Sequence, residues 1–335
     1  MEQPDVDAAR AGSADAFERL AEPYRRELQV HCYRMLGTIE DAEDAVQETY
    51  LRAWRRLDSY AGSAPFRAWL YGIATHACLD ALRRRKARVW PTDVSPPGDP
   101  RRGPAPPVEL PWLQPYPDRL LEAAAPAEDE PEAFVTAKET IELAFLAAIQ
   151  RLPPRQRAVL VLRDVLDWSA KDTALVLGFT RAAVNSALAR ARATLADHLP
   201  AGRGEWTRRS SAAEEGMLRR LVAAWESSDV TALVALLRAD ARLVMPPRLS
   251  WFSGRPDIEV FLREHVFGVM GDGWRLRPTR ANRQPAFALY WRAPGEVEHR
   301  PFGIGVLSVE DRHITELAVF IQPDPFRHFA LPARP

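Results

Sequence analysis

Several things that would each narrow the function are scarce or missing. Only two cysteines occur, Cys32 and Cys78. They lie too far apart in sequence to suggest a disulfide framework or a metal site, so small core residues in a reducing compartment are expected. No run approaches the roughly 18–20 apolar residues needed to span a bilayer. The acidic N-terminus carries no hydrophobic export signal, and a cytoplasmic location away from the membrane is the expectation. There is no net charge, because 45 Lys and Arg balance 45 Asp and Glu. Affinity for a nucleic acid must therefore come from local patches and not from a global basic field. No spacing of His, Cys, Asp or Glu marks a reaction class, so no catalytic set, metal or cofactor is assigned.

What is present is organised around Leu152–Leu199, LPPRQRAVLVLRDVLDWSAKDTALVLGFTRAAVNSALARARATLADHL. Three short helices are expected, the last two separated by Gly178. Thr180 is a suitable N-cap, since its hydroxyl can accept from a free N–H of the first turn. Ala183, Val184, Ala187, Leu188, Ala191 and Leu195 recur at helical spacing and form the face expected to pack. Arg181, Asn185, Ser186, Arg190 and Arg192 point elsewhere. A short helix, a glycine turn and a helix with Arg and Asn outside is a helix-turn-helix pattern. Arg can reach guanine and phosphate, and Asn can pair with adenine. An ordinary three-helix packing unit with a solvated Arg face gives the same pattern.

Upstream, Phe17, Leu20, Ala21, Tyr24, Leu28, Cys32 and Met35 predict an amphipathic helix that starts near Ser13 and stops at Gly37. Thr38 can cap the next helix, whose early acids suit the positive end of the helix dipole. Ala42, Val46, Thr49, Tyr50, Ala53, Trp54 and Leu57 form its expected buried side. Asp44, Gln47, Glu48, Leu51, Arg52 and Arg55 form the other, either a solvated face or a docking surface. A loop over Asp58–Pro65 follows, and then a helix from about Phe66 that ends in Arg83, Arg84, Arg85, Lys86 and Arg88. So many cations exceed what capping requires, and a phosphate-contacting patch is the sharper reading. Tyr60, Phe66, Trp69 and Tyr71 can offer stacking surfaces to unpaired bases. Each taken alone is more often a core residue.

Proline changes the character of the chain from Val89 to Glu132. Proline fixes φ and removes a donor, so a semi-extended or disordered linker is expected here. Within it LPWLQPYPDRLL is apolar enough to dock on a neighbouring surface, through Trp112, Leu113, Tyr116 and Leu120. A helical pattern returns at Phe134.

Two of these blocks carry a resemblance. DAEDAVQETYLRAWRRL at 41–57 and FRAWLYGIATHACLDALRRR at 66–85 resemble the sigma-2 domain of extracytoplasmic-function (ECF) sigma factors of bacterial RNA polymerase. The stretch from Leu152 looks like their sigma-4 domain. The resemblance implies an RNA polymerase sigma factor, not an enzyme, whose partners are core polymerase and promoter DNA. It implies that the helix over Asp41–Trp54 packs on the clamp helices of the largest subunit, with Asp41, Asp44, Gln47 and Glu48 as contacts, and that the flap of the second subunit is a further partner. It places a captured base of the −10 element near Tyr60, Ser63 and Phe66, with Trp69, His76, Arg83, Arg84 and Arg85 on the following helix. Thr180, Arg181, Asn185, Ser186, Arg190 and Arg192 then read the −35 element. Gly72, His76, Asn185 and Ala187 stand where the family often carries other residues, which leaves the promoter sequence open.

The remainder reads as helices followed by strands, an α+β domain. MPPRLSWFSGRPDIEVFL and ANRQPAFALYW resemble SnoaL-like domains of the nuclear-transport-factor-2-like fold. That implies a cone with a pocket, for which Trp251, His265 and Tyr290 are candidate lining residues and an unknown small molecule a candidate ligand. The expected fold is thus multi-domain: two all-α sigma domains and a C-terminal α+β cone. Expected boundaries are 14–88 for the sigma-2-like domain, 89–132 for the linker, 133–200 for the sigma-4-like domain and 205–333 for the SnoaL-like domain. The alternative from another class is a SnoaL-type sensor or enzyme that uses the helical half for DNA targeting.

Overall fold

A computed structural model of the chain describes residues 2–62, 64–84, 86–122, 141–197, 212–321 and 326–335. It divides into two compact units. One comprises Met1–Arg88 and Leu120–Trp206, the other Val89–Arg119 and Thr207–Pro335.

The first unit is helical, and its helices begin and end where short polar residues and glycine allow. α1 (Glu2–Arg10), α2 (Ala14–Ala21), α3 (Arg25–Leu36), α4 (Ile39–Arg55) and α5 (Phe66–Arg84) form its N-terminal half. The Ser13 hydroxyl accepts from Ala16 N, and Thr38 Oγ1 accepts from Asp41 N at 3.2 Å. Each satisfies a donor that the first turn leaves orphaned. Gly37 closes α3 at φ 82°, a left-handed conformation that costs a β-carbon-free residue little. The other half contains α6 (Leu143–Gln150), α7 (Pro154–Leu160), α8 (Ala170–Leu177) and α9 (Arg181–Ala196). The pattern expected from Phe134 falls partly outside the described residues, and α6 is its described part. Ser169 caps α8 through Asp172 N, and Gly178 ends it at φ 66°. Thr180 caps α9 through Ala183 N at 3.1 Å.

The two halves of this unit share a core. Arg157 on α7 is 1% exposed and donates to the carbonyls of Met35, Gln150 and Leu152 and to Gln150 Oε1. The Met35 carbonyl lies in the last turn of α3, where helical acceptors lack partners of their own. His76 Nε2 on α5 meets the Val176 carbonyl at 2.8 Å, and Tyr71 packs on Trp168.

The second unit carries a six-stranded mixed sheet in the order β2-β1-β6-β5-β4-β3. Its longer helices are α10 (Ala212–Glu226), α11 (Val230–Ala235) and α12 (Arg255–Phe261), the last continued by a wider turn over Leu262–Phe267. The strands are β1 (Leu237–Val244), β2 (Trp251–Ser253), β3 (Trp274–Ala281), β4 (Gln284–Trp291), β5 (Arg300–Glu310) and β6 (His313–Phe320). β1 runs parallel to β6, and the other pairs are antiparallel. Asn282 and Arg283, and again Asp311 and Arg312, adopt positive φ as two-residue hairpin turns. One face of the sheet supplies Trp274, Leu276, Phe287, Leu289, Leu307 and Leu317 to a core shared with Trp225, Phe261 and Leu262 of the helices. This is the helices-on-sheet arrangement that the SnoaL-like resemblance implies, in an α+β unit following a helical one. A β-carbon on Gly305 would lie 2.2 Å from the Phe287 ring, so that ring's seat requires glycine.

The opposite face is covered too. Ala286, Ala288 and Tyr290 of β4, Ile304 and Val306 of β5, and Ala318 and Phe320 of β6 are all buried. Trp90 packs on Phe320 with ring centroids 5.8 Å apart, and Phe326 packs edge-on against Tyr290. The cover therefore includes the proline-rich segment, which is laid along this unit. Composition alone suggested a semi-extended or disordered stretch there, because proline density reports missing donors and says nothing of the surface that receives the chain.

A pH dependence follows from the first unit. His31 is fully buried, and its Nε2 lies 2.9 Å from Thr75 Oγ1, whose hydroxyl donates to the Tyr71 carbonyl. The ring is therefore a neutral donor there. Burial, with Arg34 nearby, pushes its pKa down to about 3. The unfolded chain, titrating near 6.5, binds that proton first. The stability tied to the neutral ring is complete above about pH 6.5 and is lost as pH falls toward 3, by on the order of 3 kcal/mol by pH 4. Urea unfolding between pH 7 and 4 should show this slope, and His31→Gln should flatten it.

Candidate nucleic-acid interface

The expected DNA-reading side chains of the sigma-4-like half share one helix. Arg181, Asn185, Ser186, Arg190 and Arg192 of α9 are exposed, as is the cap Thr180, while Val184, Ala187, Leu188, Ala191 and Leu195 are buried. Ala183 departs from the expected packed face and is exposed. Ala182, Ala183 and Ala189 thus add small side chains to the outer face, which lets a backbone or a groove wall approach closely. Nothing polar in the sequence marked them. Arg192 is held in a bidentate pair by Asp164 at 2.7 and 2.9 Å.

The sigma-2-like half brings Tyr60, Phe66 and Trp69 together, with ring centroids 5.3–5.5 Å apart. Phe66 is fully buried and Tyr60 is 8% exposed, whereas Trp69 is half-buried. Phe66 and Tyr60 thus form the floor of this cluster and Trp69 its accessible rim. Ser63 and Arg85 lie outside the described residues. Arg83 pairs with Asp80, and Arg84 is exposed. Arg88 leaves the basic patch altogether. It turns back to donate to the Leu36 carbonyl and to Asp41, tying the chain after α5 to the start of α4. His76 is exposed but engaged by Val176.

α4 presents Asp44, Gln47 and Glu48 beside Leu51 and Trp54, which are 52% and 38% exposed. Trp54 was expected on the buried side. It sits at the edge, with one ring edge on Phe17, and leaves an apolar patch among acids. A groove of about 290 Å³ runs between α4 and α5, lined by Asp41, Asp44, Glu48, Arg52, Asp80 and Arg84 among others. Arg52 bridges Glu48 and Asp80 across it, and that hydrogen bond holds the Asp80 carboxyl below its usual range. Asp41 is mostly buried against Arg88.

In the second unit the three candidate pocket residues each have a partner of their own. Trp251 donates its indole N–H to the Ser95 carbonyl, His265 packs beside Gly103, and the Tyr290 hydroxyl donates to the Pro332 carbonyl.

Comparison with known proteins identifies the helical unit. Residues 20–88 match the model of sigma-70 region 2, and residues 142–195 match that of sigma-70 region 4. The ECF RNA polymerase sigma factor SigG of Mycobacterium tuberculosis (strain CDC 1551 / Oshkosh) is 40% identical over 317 residues, which is 94% of this chain and 84% of that protein. The chain belongs to the ECF RNA polymerase sigma factors. The similarity to SigG runs through the C-terminal unit as well. SigM of M. tuberculosis (strain ATCC 35801 / TMC 107 / Erdman) is 34% identical over 56% of this chain and 78% of its own. The crystal structure of M. tuberculosis SigJ superposes with a TM-score of 0.61 at 23% identity, covering 96% of this sigma factor and all of that chain. At that identity the likeness speaks for the fold. Sigma factors bind core RNA polymerase and promoter DNA, and the helical unit carries the two regions concerned. Among the described residues no helix is long and apolar enough to cross a membrane.

Burial separates two aromatics that the sequence offered as equals. Phe66→Ala removes a fully buried ring and should lower stability by about 3–5 kcal/mol. Trp69→Ala, at the rim, should cost less than half as much. Chemical denaturation followed by circular dichroism measures both, and equal losses would contradict the floor-and-rim assignment.

Proposed function

We propose that this sigma factor engages core polymerase through the exposed face of α4 and reads its promoter through α5 and α9, with activity modulated by the C-terminal unit. The observation that carries this reading is the pairing of two exposed surfaces on one helical unit. One is the acidic-apolar face of Asp44, Gln47, Glu48, Leu51 and Trp54. The other is the Arg- and Asn-bearing outer face of α9. The clamp helices of the largest subunit are the partner of α4, and the flap of the second subunit that of the sigma-4-like half. An exposed leucine and tryptophan ringed by polar groups is the composition of an interface anchor.

In this reading Trp69 stacks on the base that leaves the duplex at the −10 element, above the floor of Tyr60 and Phe66. Arg84 and His76 line the path of that strand. Asn185 and Arg181 face base edges of the −35 element, and Arg190 and Arg192 face phosphates. Asp41 contributes indirectly, by holding Arg88 and the start of α4.

Run-off transcription with purified core polymerase tests the whole, and promoter-independent starts would sink it. Leu51→Ala should weaken binding to core polymerase by about 1–2 kcal/mol while leaving the fold intact, read by fluorescence anisotropy. Asn185→Ala should cost about 1–3 kcal/mol at one base pair of the −35 element and leave −10 opening unchanged. Footprinting on a set of −35 variants checks it.

A further inference from the structure

The β3 edge of the C-terminal sheet carries arginines that the fold does not neutralise. Around it, Arg280 holds Asp118, Arg300 holds Glu296 and Arg334 holds Glu298. Arg275 and Arg277 of β3 and Arg292 after β4 are exposed, and among the described residues none of them is paired with a carboxylate. Arg275 spends one N–H on the Trp274 carbonyl at 2.9 Å. Glu226, the acid that reaches this edge, gives an oxygen to Leu276 N at 2.8 Å.

Strand register sets these cations side by side. β3 is the last strand of the sheet, with Arg275 opposite Tyr290 and Arg277 opposite Ala288. Arg292 N donates to the Gly273 carbonyl at 2.8 Å, which carries that register one step beyond Trp274 and Trp291. Arg292 therefore shares a face with Tyr290, and so with Arg275 and Arg277. Alternate residues of one strand lie about 6.8 Å apart on the same face. Diagonal cross-strand neighbours such as Arg275 and Arg292 lie about 7–8 Å apart. His299 feels the result, since burial and then the charges of Arg275 and Arg292 hold its pKa below the usual imidazole value. Like charges placed this closely oppose folding, so the fold itself does not account for the row.

A row of fixed cations suits a repeating anion better than a single small one. The arginine fork takes phosphate through two parallel hydrogen bonds. A protein interface of any strength is centred on apolar or aromatic anchors. The aromatics beside this row, Trp274 and Tyr290, are 1% and 0% exposed, so the edge offers charge without such an anchor. The helical unit, in contrast, spends Arg83 and Arg192 on its own acids. We infer that Arg275, Arg277 and Arg292 of the C-terminal unit hold the phosphate backbone of promoter DNA, as a contact additional to the −10 and −35 readers. Backbone contacts carry no base information, so this one adds affinity and salt dependence and leaves the preferred promoter unchanged. The inference rests on the sigma-factor reading above, which supplies the polyanion.

Holoenzyme assembled from the full chain and core polymerase tests it, on a genomic fragment from which the unaltered holoenzyme initiates. Fluorescence anisotropy gives the affinity for that fragment across a salt series. Arg275→Gln, Arg277→Gln and Arg292→Gln together should make the slope of log affinity against log salt shallower by about 2–3, since each phosphate contact contributes about 0.9. At about 0.1 M salt the affinity should fall roughly tenfold. Lysine at the same positions should keep most of the slope, because charge, not shape, releases counterions. An unchanged slope overturns the inference. So does a loss confined to the binding of core polymerase without DNA, which makes the row a contact for an acidic protein surface. Should circular dichroism show the combined variant unfolded, Arg277→Gln alone is read for a slope change of about 1. If no fragment supports initiation by the unaltered holoenzyme, the sigma-factor reading fails and the inference with it.

Discussion

A guanidinium buried among neutral acceptors organises the helical unit. Arg157 is 1% exposed, and the oxygens it donates to at Met35, Gln150 and Leu152 are all neutral. Burial lowers its pKa to about 10, so it stays charged at neutral pH. A buried charge of this kind is tolerable only when its donors are nearly all used. Its position between α7 and the last turn of α3 meets that need for both partners. The carbonyls at the end of α3 gain donors that their own helix cannot supply, and the cation gains acceptors. Gln150 Nε2 does the same for the Arg34 carbonyl at 3.4 Å. The packing of one promoter-reading region against the other depends on this exchange, and the contacts at its edge follow from it. With Val176 held against α5, His76 Nε2 has a protein acceptor in place of DNA. The face of α5 expected to read the −10 element is thus partly occupied within the chain.

The second unit solves a different constraint. A mixed sheet whose strands are apolar on both faces needs two covers, and the helices supply only one. β4 shows the demand most clearly. Phe287 and Leu289 point into the helical core, while Ala286, Ala288 and Tyr290 on the other side are equally buried. The strap and the C-terminal segment around Phe326 contribute the second cover. Sheet stability and linker conformation are therefore one equilibrium. Any change that loosens the strap exposes apolar area on the sheet, at about 25 cal/mol per Å². The linker's conformation is set by a domain more than a hundred residues later in the chain, so neither can be understood alone.

Much of this was legible in the sequence where the physics is local. Ser13, Gly37, Thr38, Gly178 and Thr180 punctuate the helices as expected, because capping depends only on neighbours a few residues away. The packed face of α9 was legible from periodicity, apart from Ala183 in its first turn. Trp54 was assigned to the wrong side for a similar reason, since a residue at the margin of an apolar stripe is decided by the neighbouring helix. Arg157 was not legible. An arginine in LPPRQRAVL reads as surface charge, and only the carbonyls of a distant helix make it a core residue. The strap was legible as proline-rich and partly apolar, but its receiver was not, because donors missing from a segment do not name the acceptors of the rest. Of the candidate interface, the residue types were readable. Their partners, Asp164 for Arg192 and Asp41 for Arg88, were not.

Those partners bear on how the chain can meet DNA. Three of the expected cations, Arg83, Arg88 and Arg192, are each paired with a carboxylate of the same unit. The chain as a whole has no net charge. Phosphate contacts supply most non-specific affinity, and each one made releases counterions. A surface whose arginines already hold acids makes few such contacts and steers DNA weakly. The Arg83 and Arg192 pairs are exposed and contribute little to stability, whereas the mostly buried Arg88–Asp41 pair holds the start of α4. Two weak readers linked on one scaffold gain by effective concentration what neither has alone, and the gain depends on the length of chain between them.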